Sequence, residues 1–226
     1  MSCLKVHSKI VLQVFSAMLL SAAVAAAAIP GLCNTGHAVA GSCGALVTPD
    51  NGTTTDANWQ IAVPYPSEPS STPVTDPCVL QKWAPAWVDT PDTPPWLADS
   101  NPYSEWITPK VENALGGYYV YRTLLKVPTT ATAITISGKL LSDNEVYQIF
   151  AGGPPGTPCF VTAGPPINPP PGSFHTWFSF TYSGAVIPGT VNGLYFVVRN
   201  RGVGGIDSSP TPAGLRIQFN QSASHY

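Results

Sequence analysis

The stretch Gly117-Tyr-Tyr-Val-Tyr-Arg-Thr-Leu-Leu-Lys-Val127 decides the fold class of this 226-residue chain. Its residues alternate between two faces. One face contains Tyr119, Tyr121, Thr123, Leu125 and Val127, and the other contains Tyr118, Val120, Arg122, Leu124 and Lys126. Alternation with a period of two in aromatic and β-branched residues predicts a β-strand, because an amphipathic helix needs apolar residues three and four positions apart.

Similar alternation recurs through the C-terminal half of the chain. The predicted strands are Tyr118–Val127, Ala133–Ser142, Glu145–Ala151, Trp177–Tyr182, Gly193–Arg199 and Gly214–Gln221. Turn-forming residues such as Pro188-Gly189 separate them. Several short strands at this spacing, without a helical pattern between them, predict an all-β fold, an antiparallel β-sandwich of the jelly-roll type. The sequence leaves the strand order open.

The first 28 residues have the parts of a secretory signal peptide. Lys5 and Lys9 precede an apolar stretch from Ile10 to Ala28, which ends in small residues. A membrane anchor is the alternative, since an apolar run of this length can just span a bilayer core of about 30 Å. We favour cleavage because polar residues such as Gln13 interrupt the run. The predicted organisation is a signal peptide at 1–28 and one domain at 29–226, with no membrane span after cleavage.

The chain is poor in charge. Charged residues make up 10% of it, against about a quarter in a typical globular protein. A nucleic-acid or anionic-membrane partner requires clusters of Lys and Arg, and the sequence contains none. The composition therefore argues against a nucleic-acid partner and is typical of a secreted protein, extracellular or periplasmic.

Four cysteines follow the leader, namely Cys33, Cys43, Cys78 and Cys159. In an exported chain they predict two disulfides, with three possible pairings. We favour Cys33–Cys43, which closes a short glycine-rich loop, and Cys78–Cys159, which ties the loop-rich N-terminal half to the sandwich. A zinc site is the alternative, but the tight Cys-x-x-Cys spacing typical of zinc sites is absent.

An ordered set of short motifs runs through the chain after the leader. It consists of Asn34-Thr-Gly36, Asp56-x-x-Trp59, Trp106-Ile-Thr-Pro109, Tyr119-Val-Tyr-Arg-Thr123, Asp143-Asn144, Val198-Arg-Asn200 and Pro212-Ala-Gly-Leu-Arg216. Together these motifs resemble a family of exported bacterial β-sandwich domains. The resemblance implies a galactose-binding-like jelly roll of the kind found in PEP-CTERM-type surface proteins. Because Phe219–Tyr226 contains no apolar span or basic stop, we expect a released or periplasmic protein.

The region 64–109 is rich in proline and tryptophan, with eleven prolines and four tryptophans. Proline removes a donor from the strand ladder, so we predict an irregular loop layer packed on the sandwich. The tryptophans either fill the core beneath these loops or form a platform for a sugar ring, with acidic side chains binding its hydroxyls. The residues predicted for such a ligand site are Trp83, Trp87, Trp96, Asp89, Asp92 and Asp99.

Calcium is the one metal for which the sequence offers ligands. Asp56 and Asn58 lie in one predicted loop, and Asp143 and Asn144 lie in another. Calcium binds carboxylate, amide and carbonyl oxygens, whereas Asp and Asn also stabilise turns through their own side chains. Both interpretations stay open, and no other cofactor is predicted.

Catalytic motifs are absent from the sequence. It contains no Gly-x-Ser-x-Gly elbow, His-Glu-x-x-His, P-loop or dinucleotide fingerprint, and we interpret His175 as structural. We therefore predict a secreted, non-catalytic domain that binds a glycan or contributes to the cell surface. The alternatives are a structural or protein-interaction domain without a small-molecule site and an extracellular hydrolase.

Overall fold

The structure is a computed structural model. It describes residues 29–37, 39, 43, 45–46, 54–62, 69–89, 103–109, 113–160, 174, 176–202, 211–221 and 224–226. In these parts of the chain no helix has the length and apolar content of a membrane span.

The described residues form eleven β-strands and one short 3-10 turn. The strands are β1 Thr55–Ala62, β2 Trp83–Asp89, β3 Trp106–Thr108, β4 Asn113–Ala114, β5 Gly117–Lys126, β6 Ala133–Asp143, β7 Glu145–Gly152, β8 Phe178–Ala185, β9 Val191–Asn200, β10 Thr211–Pro212 and β11 Gly214–Phe219. The 3-10 turn is Pro77–Val79. All six predicted strands are present, with ends that differ from the prediction by at most three residues.

Nine of these strands form one antiparallel sheet in the order β7-β9-β5-β1-β2-β3-β11-β6-β8, and β4 pairs with β10 in a separate ribbon. We call β7, β9, β5, β1 and β2 the β5 half-sheet, and β3, β11, β6 and β8 the β6 half-sheet. The predicted all-β, antiparallel fold class is confirmed.

Aromatic side chains in the core join the two half-sheets. Trp59 of β1 stacks on Phe219 of β11, with ring centroids 6.1 Å apart and planes 12° from parallel. Phe180 of β8 meets Phe196 of β9 edge-on, with centroids 5.9 Å apart. Such pairs contribute about 0.5–1.5 kcal/mol each beyond the burial of their area. The sheet therefore folds over on itself, and the two half-sheets enclose the core as a sandwich.

Alternation along β5 follows the prediction. Tyr119 and Tyr121 lie in the core between the half-sheets, at 1% and 0% exposure. Tyr118 and Val120 lie on the opposite, outer face, in a second apolar cluster. Residues 69–82 contribute Val74, Cys78 and Leu80 to that cluster and so cover this part of the outer face.

Both predicted disulfides are confirmed. Cys33 pairs with Cys43, and Cys78 pairs with Cys159. The second bridge fixes the covering segment 69–82 to the chain that follows β7, where Cys159 also forms a β-bridge with Gly152.

The prediction that 64–109 forms only irregular loops is wrong for β2 and β3. The seven-residue strand β2 lies within the sheet, between β1 and β3. It tolerates Pro85 because its first half pairs with β1 alone, and β3 pairs only from Trp87 onward. A proline that faces an unpaired side of a strand removes no ladder hydrogen bond there. Residues 69–82 do form the expected loop layer.

Candidate functional site

The tryptophan site predicted from sequence lies in part on β2. Trp83 and Trp87 are half-buried on its outer face, and Asp89 is 4% exposed at its end. Trp96, Asp92 and Asp99 lie outside the described residues. Trp106, the fourth tryptophan of this region, is 1% exposed and packs against Leu141. Trp83 and Trp106 therefore belong to apolar clusters outside the main core.

Trp83 lies at the centre of a cluster with one arginine on the outer face of the β5 half-sheet. The Arg122 guanidinium lies 3.9 Å from the centroid of the Trp83 ring, and its Nε donates to Gln60 Oε1 at 2.8 Å. Tyr195 contacts the same indole, with centroids 5.8 Å apart. Burial lowers the pKa of Arg122, and the neighbouring Tyr195 hydroxyl opposes that effect. Because Arg122 already covers one face of Trp83, that face is not available to a sugar ring.

An open cleft of about 670 Å³ adjoins this cluster on the same outer face. We call it the β5 cleft. Its lining residues are Pro30, Gly31, Ala57, Asn58, Gln60, Leu124, Lys126 and Val191. Leu124 and Val191 are each 37% exposed, so the surface of this cleft is partly apolar.

A second cleft, also of about 670 Å³, lies on the outer face of the β6 half-sheet. We call it the β6 groove. It is lined by Ser137, Gly138, Lys139, Ser179, Phe180, Thr181, Gln218, Phe219, Asn220 and Gln221. Seven of these ten residues have polar side chains, and they come from β6, β8, β11 and the residues that follow β11.

Strand register explains why these polar side chains meet. Ser137 of β6 is opposite Thr181 of β8, and their hydroxyls lie 3.0 Å apart. Lys139 is opposite Ser179 on one side and Gln218 on the other. Since residues opposite one another across strands point to the same face, three strands place hydroxyl, amide and ammonium groups side by side.

Trp177 borders the β6 groove just before β8 begins. The Lys139 ammonium lies 4.5 Å from the centroid of the Trp177 ring, and the Arg216 guanidinium lies 5.4 Å from it. Arg216 is 0% exposed, and its Nε and Nη2 donate to the hydroxyl and carbonyl oxygens of Ser104, at 3.0 and 2.5 Å. Trp177 is thus a half-buried ring in contact with two cations. One is the buried Arg216, which Ser104 fixes, and the other is Lys139, whose side chain is flexible.

The first predicted calcium pair, Asp56 and Asn58, lies in a β-bulge of β1 opposite β2. Asp56 is 1% exposed. Its Oδ1 accepts the backbone N–H of Asn58 at 2.7 Å and of Trp59 at 3.1 Å, and its Oδ2 accepts that of Gly36 at 2.5 Å. Burial is the largest influence on the Asp56 carboxyl and raises its pKa to about 6, although the three N–H donors act in the opposite direction. Asp56 therefore stabilises the bulge, and calcium binding there stays a prediction.

The second predicted calcium pair lies at the turn between β6 and β7. Asn144 Nδ2 donates to Asp143 Oδ1 at 2.6 Å, and Asn144 Oδ1 accepts the backbone N–H of Arg201. Asp143 is 4% exposed. These contacts match the turn interpretation, and a calcium ion at this loop also stays a prediction. Asp76, Cys78 and Cys159 lie close enough to one another to form a metal cluster, but both sulfurs belong to a disulfide.

The described lining residues of the two clefts include no acidic residue, histidine or cysteine. His37 is 6% exposed and lies near Asp56 in the bulge, and His175 lies outside the described residues.

Sequence reasoning did not find the β6 groove or Trp177. The available signal was the run of small polar residues on one face of two predicted strands, with Thr135, Ser137 and Lys139 on β6 and Ser179, Thr181 and Ser183 on β8. Without the strand order, nothing showed that these two runs lie side by side.

Comparisons with known proteins give remote structural similarities. No protein-family model and no curated protein matches the chain. The enzymatically active domain of tailspike protein 4 of bacteriophage CBA120 superposes with a TM-score of 0.36 and 14% sequence identity, over 72% of this chain and 18% of that one. A family 35 carbohydrate-binding module from an environmental isolate superposes with a TM-score of 0.30 and 12% identity, over 69% of this chain and 92% of the module. The chain thus matches less than a fifth of the tailspike chain.

Proposed function

We propose that this chain is an exported, non-catalytic protein that binds carbohydrate through the β6 groove. The supporting observation is the co-location of seven polar side chains and one half-buried tryptophan, which come from three adjacent strands and the residues next to them. Carbohydrate binding replaces the ligand's water hydrogen bonds by bonds to hydroxyl, amide and charged side chains, and places sugar C–H groups against an aromatic ring.

The groove supplies both kinds of contact. Ser179 and Thr181 are exposed hydroxyls on β8, and Gln218 and Asn220 offer amides on the other side of β6. Trp177, whose ring contacts the lining residue Lys139, supplies a half-buried aromatic ring beside the groove. A sugar that stacks on it displaces the Lys139 ammonium, whose flexible side chain can form a new hydrogen bond with the ligand.

Two features support export. The disulfides Cys33–Cys43 and Cys78–Cys159 are typical of proteins that fold in an oxidising compartment, and the first 28 residues have the pattern of a secretory signal. The non-catalytic part of the proposal rests on the sequence, which contains none of the catalytic motifs named above.

A structural or protein-interaction role is the second candidate. It is favoured by the packing of the predicted tryptophans, since Trp106 is 1% exposed and Trp83 is covered by Arg122. Under this alternative the polar β6 groove is a solvated sheet face without a ligand.

The test is a polysaccharide-binding screen on the whole chain, with and without calcium. Trp177→Ala and the exposed-site variant Thr181→Val should each weaken retention of the bound glycan by at least tenfold, about 1.4 kcal/mol. Trp83→Ala is the matched control, because it removes a half-buried tryptophan from the opposite outer face. If folded wild-type protein retains no polysaccharide in either condition, the carbohydrate proposal fails and the structural role becomes the better account.

A further inference from the structure

The β5 cleft is separate from the β6 groove, because the two lie on the outer faces of different half-sheets. At about 670 Å³ it falls within the range of roughly 300–1,000 Å³ that is usual for small-molecule sites. Its chemistry differs from that of a sugar-binding surface. A ligand bound in the β5 cleft would therefore be independent of a carbohydrate bound in the β6 groove.

The cleft presents exposed apolar side chains. Leu124 and Val191 are among the few large hydrophobic residues of the described chain that are more than a third exposed. They lie close together because β5 and β9 are paired there, with Lys126 directly opposite Val191. Ala57 and Pro30 extend this surface. An apolar group that covers it would be removed from water at a gain of about 25 cal/mol per Å².

The alternation of β5 places a cation on either side of the exposed leucine. Arg122, Leu124 and Lys126 share the outer face, at intervals of about 6.6 Å. Arg122 is 7% exposed and is held by Gln60 and Trp83. Lys126 is exposed, and no salt bridge within the described residues involves it.

Three polar side chains line the cleft, namely Asn58, Gln60 and Lys126, and Asn58 Nδ2 donates to the Val39 carbonyl oxygen. Gln60 uses its Oε1 to accept from Arg122 Nε, which leaves its amide NH₂ group, and Lys126 offers an ammonium. None of the eight lining residues is acidic. The carboxyl group of Asp56, next to the lining residue Ala57 in the chain, is 1% exposed and accepts three backbone N–H groups in the bulge.

We propose that the β5 cleft binds a small amphipathic carboxylate, with its apolar chain on Leu124 and Val191 and its carboxylate at Lys126. The negative charge of the ligand follows from the exposed Lys126 ammonium and from the lack of acidic side chains among the lining residues. The apolar chain follows from the exposed leucine and valine.

The experiment is isothermal titration of the whole chain with octanoate and, separately, with octanol as the uncharged probe of matched length. We expect octanoate to bind at least tenfold more tightly than octanol. Lys126→Gln should weaken octanoate binding at least fivefold and leave octanol binding unchanged, whereas Lys126→Arg should retain octanoate binding. Leu124→Ser should weaken both ligands.

Lys139→Gln is the matched control, since it removes a lysine from the other outer face, and it should leave octanoate binding unchanged. Lys126 and Leu124 are exposed, so the variants are expected to fold, and their thermal unfolding midpoints verify this. The proposal is overturned if octanol binds as tightly as octanoate, if Lys126→Gln and Lys139→Gln behave alike, or if folded wild type binds neither probe. None of these results bears on polysaccharide binding at the β6 groove.

Discussion

The two outer faces of this sandwich have opposite chemistry, although both are built from strands with the same alternation. On the β5 half-sheet the outer face is apolar and cationic. Tyr118 and Val120 are covered by residues 69–82, and the open part exposes Leu124 beside Lys126. On the β6 half-sheet the open part consists of serine, threonine and amide side chains. The side chains alone thus explain why one sheet face needs a covering segment and the other can stay in water.

The same contrast appears in the two cation–π pairs. Arg122 on Trp83 is 7% exposed and is also bound to Gln60, so it serves the packing of its face. Lys139 on Trp177 is more exposed and lines an open groove. We infer that the first pair stabilises the fold and that the second is available for binding.

The largest effect is expected from uncovering one face. Replacing Cys78 and Cys159 by alanine releases a bridge that spans 81 residues, which in the chain-entropy description lowers the free energy of unfolding by about 4–5 kcal/mol. The matched double replacement of Cys33 and Cys43, which spans 10 residues, should cost only about 3 kcal/mol. Urea unfolding of both variants checks this. Equal losses would show that loop length does not govern the difference between the bridges.

The bulge beside the β5 cleft should make stability depend on pH. Asp56 has its pKa raised from 3.8 to about 6 by burial, so its ionised form is less favourable in the folded protein than in the unfolded chain. Its contribution is therefore full below pH 3.8 and is lost as pH rises through 6, a decrease of about 3 kcal/mol. In Asp56→Asn the free energy of unfolding should lack this decrease between pH 4 and pH 7, which unfolding curves of both proteins at the two pH values measure. If the free energies of unfolding of wild type and variant differ by the same amount at both pH values, this prediction is contradicted.

A smaller effect is expected from the two cation–π pairs. Arg122→Met leaves Gln60 without its donor in a mostly buried position and should lower the free energy of unfolding by about 1–3 kcal/mol. Lys139→Met, on the more exposed pair, should lower it by no more than about 0.5–1 kcal/mol. Chemical denaturation of the two variants side by side tests the distinction, which is lost if the lysine variant is the less stable one.

The smallest effect on stability is expected in the β6 groove. Ser137→Ala and Thr181→Val remove a hydroxyl pair that lies 3.0 Å apart on a partly exposed face, and each should change the unfolding free energy by less than about 0.5 kcal/mol. Both should nevertheless weaken carbohydrate binding. A large loss of stability would mean that these hydroxyls hold the sheet together rather than face a ligand.

Sequence alone predicted the strands whose alternation is strong. The predicted bounds of β5 are correct to within one residue at each end, because its aromatic and β-branched residues alternate between an inner and an outer apolar face. It missed β2, because proline argues against a strand unless the pairing of each side is known, and Pro85 pairs with β1 alone. The disulfide pairing was predicted correctly because Cys33–Cys43 closes a short loop and Cys78–Cys159 ties the N-terminal half to the sandwich.

The candidate site was harder to predict for a physical reason. Its residues come from β6, β8 and β11, which are separated by tens of residues, and each is an ordinary serine, threonine or glutamine on its own. Only the register brings Ser137 next to Thr181 and Lys139 next to Gln218. The tryptophans of the proline-rich region were predicted to form a ligand site because tryptophan is a rare residue, whereas Trp177 was interpreted as the first residue of a strand.

The most direct test of the central claim maps the bound glycan onto the two faces in one experiment. Backbone amide chemical shifts would be recorded by NMR as the polysaccharide fragment selected by the binding screen is added to the whole chain. We predict shifts confined to the β6 groove, in 135–139, 177–183 and 216–221, with the amides of Gln60, Leu124 and Lys126 unchanged. Shifts centred on the β5 cleft, or spread evenly over both faces, would contradict the assignment of carbohydrate binding to the β6 groove.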